Sequence, residues 1–230
     1  MITVENKIRI LSVLSIFETG HRDGDYGDVT ILKDGTRPDG EHFHQITYGR
    51  HQTTEQSHLK ELLDRYIENK GKFADEIKPF IPKIGNGALA RHEELIDLLK
   101  KAGNDDPIMR STQDDFFDDV YYNPAFAFFE TNGFKLPLSM LVIYDSDIHS
   151  GSIKDYLRKR FVEMPPRRGG SEKAWIKAYV RVRHQWLTNH PNEILQRTNY
   201  RTKAFLREIE RENWDLALPI EAQGEVSREL

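Results

Sequence analysis

The stretch Ile16-Phe17-Glu18-Thr19-Gly20, and the polar segment that runs from it to Ile46-Thr47-Tyr48-Gly49-Arg50-His51-Gln52, decide how the chain of 230 residues is read. Upstream, Ile8, Leu11 and Leu14 recur at helical spacing, with Ile10, Val13 and Phe17 beside them. Apolar residues cover most of the circumference, which predicts a central, buried helix over 4–17. Thr3 can cap its start, and Gly20 can take the left-handed conformation that ends it. Glu18 then falls in the last turn. There the negative end of the helix dipole and apolar neighbours both favour the neutral carboxylic acid.

Residues 21–52 carry glycines at 24, 27, 35, 40 and 49. Asp28 to Lys33 reads as a strand and Gln45 to Tyr48 as its partner, joined by a long turn over 34–44. Thr53 and Gln56 stand at capping-box spacing before a helix whose apolar face is Leu59, Leu62, Leu63, Tyr66 and Ile67. Gly71 ends it. Pro79 to Gly87 is a break. Helices are expected at 88–102, 112–131, 138–149 and 151–162. A loop at 165–170 follows. Ser171 caps a helix to about 189, and another spans about 192–211. Residues 212–230 form a polar tail expected to fray. The class is mainly α with a small β-ribbon (α+β), in one domain, 1–230, whose ribbon lobe is about 21–52.

Composition narrows the function. Apolar residues make up 38% and charged residues 30% of the chain. No apolar run approaches the roughly 18 to 20 residues needed to span a bilayer. There is no cysteine, which excludes disulfides, a thiol nucleophile and cysteine metal sites. The net charge of −4 argues against a nucleic-acid partner. Residues 1–20 lack the features of a signal peptide. Either the chain is not exported by that route, or a leader has been removed.

Cleaving a glycosidic bond takes a proton donor at the leaving oxygen and a second carboxylate that activates water or attacks the sugar. Glu18 suits the donor role. A glutamate at a helix end that merely faces water is the alternative, and position alone does not separate the two.

The flanking residues do more. Ile16-Phe17-Glu18-Thr19-Gly20, an aspartate at a strand end, and Thr47-Tyr48-Gly49 followed by Gln52 together resemble the catalytic hairpin of the lysozyme superfamily. The similarity is closest to the chitosanases of glycoside hydrolase family 46, and related muramidase domains are also similar. Tyr144-Asp145 with His149-Ser150-Gly151 resembles the family's Tyr-Asp…His-Gly helix. Gly169-Gly170-Ser171-Glu172, with Trp175 and Arg183, resembles its Gly-Gly-Asp-Glu helix start. Asn213-Trp214-Asp215-Leu216, with Pro219-Ile220, resembles its closing signature.

The resemblance implies a lysozyme-like, two-lobed fold with a cleft between the lobes. It implies an endo-acting, inverting glycoside hydrolase with Glu18 as acid and Asp34 as base. Thr47 would help place the water, and Tyr48, Gly49, His51 and Gln52 would lie along the substrate. Bracing the ribbon is the other reading of His51 and Gln52. Asp145, His149, Arg183 and one of Arg197 or Arg201 would stand behind Glu18. Asp145 could also be a structural salt bridge only.

The chain departs from the family between Asp34 and Thr47, where extra residues include Asp39, Glu41, His42 and His44. Asp39 is therefore the alternative base. His42, His44 and His51 have no spacing that completes a metal site, so no metal and no cofactor is expected. The run Tyr48-Gly49-Arg50-His51-Gln52 looks more like the muramidase branch. The expected substrate is chitosan, with peptidoglycan as the alternative, and a binding module that has lost catalysis stands beside both. The expected protein is a monomer, extracellular or in the cell envelope. The aromatic series Phe116-Phe117, Tyr121-Tyr122, Phe126 and Phe128-Phe129 reads as core at helical spacing.

Overall fold

The computed structural model describes residues 2–227 and divides into two compact units. One takes the chain up to residue 23 together with residues from 119 onward; the other takes residues 24–118. The architecture is mostly helical with a small antiparallel sheet, as the pattern of apolar residues predicts.

The first helix, α1, spans Val4–Thr19. Thr3 and Asn6 form a reciprocal capping box at its start, and Gly20 closes it at φ 76°. Ile10, Val13, Leu14, Ile16 and Phe17 are buried. Ile8, placed on the buried stripe by spacing, is instead exposed, and Arg9 takes an interior position, donating to the Leu216 carbonyl. A buried guanidinium is tolerated there because it meets a backbone acceptor.

The unit 24–118 opens with β1 (Val29–Thr36), β2 (His42–Tyr48) and β3 (Thr53–Thr54), an antiparallel sheet in that order. The ribbon is longer than expected and reaches into the predicted turn. Its register slips between Leu32 and Gly35. Leu32 faces Gln45 and Gly35 faces Phe43, so Lys33 and Asp34 oppose one residue, His44. That is a β-bulge, which bends a strand and re-aims its side chains. Thr53 belongs to β3 and does not cap the following helix, which begins at Leu59 with no side-chain cap. The sheet claims Thr53 before the helix can.

Helices α2 (Leu59–Glu68), α3 (Ala74–Ile77), α4 (Glu93–Asp105) and α5 (Pro107–Phe117) complete this unit. Leu62, Leu63, Leu95, Leu99, Met109 and Phe116 fill its interior. Asp106 is a shared anchor. It caps α5 through the Ile108 N–H (2.9 Å) and accepts from the Tyr66 hydroxyl (2.6 Å) and the Lys72 N–H (2.7 Å). Burial would raise its carboxyl, but these donors hold it below the usual range.

A π-helical turn, Asp118–Tyr122, follows α5 and leads to α6 (Asn123–Thr131). The other unit continues with α7 (Pro137–Ser150), α8 (Asp155–Arg158), α9 (Glu172–Thr188), α10 (Glu193–Arg197) and α11 (Asn199–Glu210). The helix expected over 151–162 is reduced to α8, and the one expected over 192–211 breaks at Thr198. α7 is buried from Pro137 to Ser146. Of the aromatic series, Phe116, Phe117 and Phe129 are buried, and the others are partly buried against the core.

Residues 212–227 do not fray. Trp214, Leu216, Ile220 and Ala222 join the core, and a short hairpin forms from β4 (Glu221–Ala222) and β5 (Glu225–Val226). Asn213 ties it down, donating to Glu208 (2.7 Å) and the Leu218 carbonyl (2.9 Å) and accepting from the Leu218 N–H (3.0 Å). The polar appearance misleads because four buried side chains and one saturated asparagine suffice. Residues 228–230 of the predicted tail lie outside the described residues.

Candidate active site

Glu18 ends α1 with its carboxylate turned to Arg201 of α11, whose guanidinium donates to it. The other side of Arg201 donates to Asp145 of α7 at 2.7 Å. Arg183 of α9 donates to the second Asp145 oxygen at 2.6 Å and to Ser146 at 3.2 Å. Asp145 and Arg183 are almost wholly buried, whereas the Glu18 side chain keeps 15% exposure. Two carboxyl groups and two guanidiniums thus form a chain with one end at the surface. Burial would raise the Asp145 carboxyl, but Arg183 and Arg201 outweigh it and hold it below its ordinary value. Burial works against the Arg201 charge, and Glu18 with Asp145 holds it above its usual range.

The apolar setting expected for Glu18 is therefore corrected: its carboxylate has an ionic partner. Arg201 is the network's second arginine. Arg197 is not, because it lies exposed on α10 near Glu193, 3.8 Å away. His149 feels the same charges. Burial first, then Arg201 and Arg183, push its imidazole down to about 3, so it is neutral.

The end of α1 is held from several directions. The Phe17 carbonyl accepts from the Tyr200 hydroxyl at 2.6 Å, and the Ile16 carbonyl accepts from the Gln223 amide at 3.1 Å. The first satisfies a carbonyl that the helix C-terminus leaves open, and the second adds to the Ile16 carbonyl, which already accepts from the Gly20 N–H. Tyr200 and Gln223 escaped the sequence reading because nothing near them in sequence points to α1.

In the ribbon, Asp34 is exposed within the bulge and accepts from the Gln45 amide at 2.9 Å. Gly35 beside it has no room for a Cβ, which would stand 2.6 Å from the Phe43 ring. Asp39 sits in the inserted turn and accepts from the Glu41 N–H at 3.0 Å. Thr30 pairs with Thr47 and Leu32 with Gln45, so Thr47 shares a face with Gln45. The Thr47 hydroxyl is buried with no hydrogen-bond partner among the described residues.

Of the remaining ribbon residues, Tyr48, Gly49 and His51 are buried and Gln52 is partly buried, and each has internal contacts. Tyr48 has no exposed surface, and its hydroxyl donates to the Leu99 carbonyl at 2.8 Å. Gly49 has φ 82°, and a Cβ there would meet the Gln113 amide at 2.5 Å. Gln113 needs that approach to accept from the Arg50 N–H (3.0 Å). Gln52 donates to Asp28 at 2.7 Å. His51 is 5% exposed and packs on Phe117 with ring centres 4.2 Å apart. Among the described residues no cluster of His, Cys, Asp and Glu could hold a metal ion, and no helix is long and apolar enough to cross a membrane.

Burial, then Arg50, push the His51 imidazole down to about 3. A folded value below the unfolded one, about 6.5, means that unfolded chains bind the extra proton as pH falls. Stability is therefore lost between about pH 6.5 and 3, by about 1.4 kcal/mol per pH unit from this group. His51→Leu keeps the packing and cannot titrate. Its urea midpoint is expected to gain on that of the parent as pH falls from 7 to 4.5. A constant difference would show that His51 is not protonated on unfolding.

The model of glycosyl hydrolase family 46 matches residues 12–220 of the chain. The chain belongs to glycosyl hydrolase family 46. A chitosanase of Bacillus subtilis (strain 168) is 28% identical over 239 residues, covering 96% of this chain and 82% of that protein. The fold matches a family 46 chitosanase of Gynuella sunshinyii in complex with chitotetraose, at TM-score 0.82 and 23% identity, covering 98% of each chain. It also matches a mutant chitosanase from Bacillus subtilis MY002 complexed with 6 GlcN, at TM-score 0.83 and 23% identity, covering 99% of this chain and 100% of that one. The family 46 chain described here is thus a glycoside hydrolase, with Glu18, Asp34, Thr47, Asp145, Arg183 and Arg201 inside the matched region.

Proposed function

We propose that the protein hydrolyses chitosan internally, with inversion at the anomeric carbon. Glu18 protonates the leaving oxygen, and Asp34 takes a proton from the attacking water, which Thr47 helps to place. The observation that carries this is the Glu18–Arg201–Asp145–Arg183 chain: it fixes one carboxylate at a helix end and leaves it partly open to solvent. The relatives named chitosanase support the choice of a glucosamine polymer. Asp34 is preferred to Asp39 because Gln45 braces it, whereas Asp39 is tied into its own turn. The Thr47 hydroxyl, buried and without a partner among the described residues, has its hydrogen-bonding capacity left for an ordered water. A polymer this large is met outside the cytoplasm, so we place the enzyme's action there or in the cell envelope.

Incubation with fully deacetylated chitosan and with purified peptidoglycan, followed by product mass analysis, tests the substrate. Chitosan is expected to yield oligomers of several lengths at early times, and the rate to fall as N-acetylation rises and as salt screens charge. NMR of the first products should show inverted anomers. Cleavage of peptidoglycan alone would assign the protein to muramidases, and early release of only monomer would exclude an internal cut.

A further inference from the structure

We propose that Gln45 is a positioning residue that orients Asp34, acting within a relay that runs through Gln56 to Thr36. The inference rests on Asp34 being the base. Asp34 lies in the bulge, where the ladder gives it no opposite residue of its own. A side chain at an exposed bulge would sample several rotamers without other support. Gln45 supplies that support. Its side chain is all but buried, and both ends of its amide are used. The Nε2 donates to Asp34 Oδ1 at 2.9 Å, and the Oε1 accepts from the Gln56 N–H at 3.0 Å.

The second bond decides which way the amide faces. Because the oxygen is bound to a backbone N–H, the NH2 must point to Asp34. Gln56 in turn grips the far side of the bulge. Its side-chain amide accepts from the Thr36 N–H and donates to the Thr36 carbonyl, both at 2.7 Å. Two glutamines thus hold the Asp34 side chain and the backbone two residues beyond it, at Thr36.

The test compares Gln45→Leu, Gln45→Glu and Asp34→Asn on fully deacetylated chitosan, with kcat and KM measured across pH. Gln45→Glu keeps the acceptor for the Gln56 N–H and sets a carboxylate against Asp34. The acid-side limb of its kcat profile is expected to move to higher pH by on the order of one unit, from like-charge repulsion. Gln45→Leu is expected to lower kcat by about tenfold with KM little changed, the loss of one charge-assisted bond at the base. An unmoved acid limb in Gln45→Glu overturns the proposal, whether or not Gln45→Leu folds. If Asp34→Asn is inactive while both Gln45 variants match the parent, the relay alone is refuted. If Asp34→Asn stays active, the base assignment fails first.

Discussion

Glu18→Gln is expected to lower turnover on chitosan by at least about a hundredfold, a typical loss when a general acid is removed. The substitution isolates the proton. Glutamine has the shape of glutamate, and its amide oxygen can still accept from Arg201, so the guanidinium is not left without a partner. A nonpolar replacement would be a poorer test. It would leave Arg201 shared by Asp145 alone and damage folding as well as chemistry. Oligosaccharide binding, measured by calorimetry, should persist, because the lost interaction belongs to the transition state and not to the ground state. Near-full activity in Glu18→Gln would remove Glu18 from the mechanism.

Asp34→Asn is expected to be nearly inactive, while Asp39→Asn keeps most of its activity. Asparagine at 34 can still accept from Gln45, so the bulge keeps its geometry and only the basicity goes. Asparagine at 39 can still accept from the Glu41 N–H, so the turn is undisturbed. The pair therefore compares two chemical losses with little structural change in either. Initial rates of reducing-end release read the result. The reverse pattern would move the base into the inserted turn.

What could be read from sequence was set by how local the determinants are. Helix α1, its Thr3 cap and its Gly20 stop are decided within about 20 residues, and the apolar spacing exposes them. The ribbon was visible as alternation between glycine-rich turns, but its bulge was not. Nothing in Leu32-Lys33-Asp34-Gly35 says that two residues will oppose His44; only the pairing with β2 does. Arg201 and Asp145 were reachable through resemblance to the family. The choice of Arg201 over Arg197 needed the break at Thr198, which puts the two arginines on different helices. Tyr48 is buried, which its sequence does not show, because residues on a polar-looking ribbon can still face inward. The tail was misread because sparse apolar residues in a hairpin carry no periodic signal.

The fastening of the end of α1 also bears on the order in which the protein can be made. Glu18 lies near the start of the chain, yet the groups that fix its turn come about 200 residues later: Tyr200, Arg201 and Gln223. Arg9, about two and a half turns earlier in the same helix, likewise waits for the Leu216 carbonyl. Synthesis runs from the N-terminus at roughly 5 to 20 residues per second, and contacts so distant in sequence form late. While the ribosome is still at work, α1 holds an apolar surface without its partners and a carboxylate without its arginine. The ribbon unit, residues 24–118, is compact by itself, and its sequence is complete long before Gln223 is added. The half of the machinery that carries the acid is thus assembled last, and a nascent chain stalled short of Gln223 would have a finished ribbon and no working enzyme.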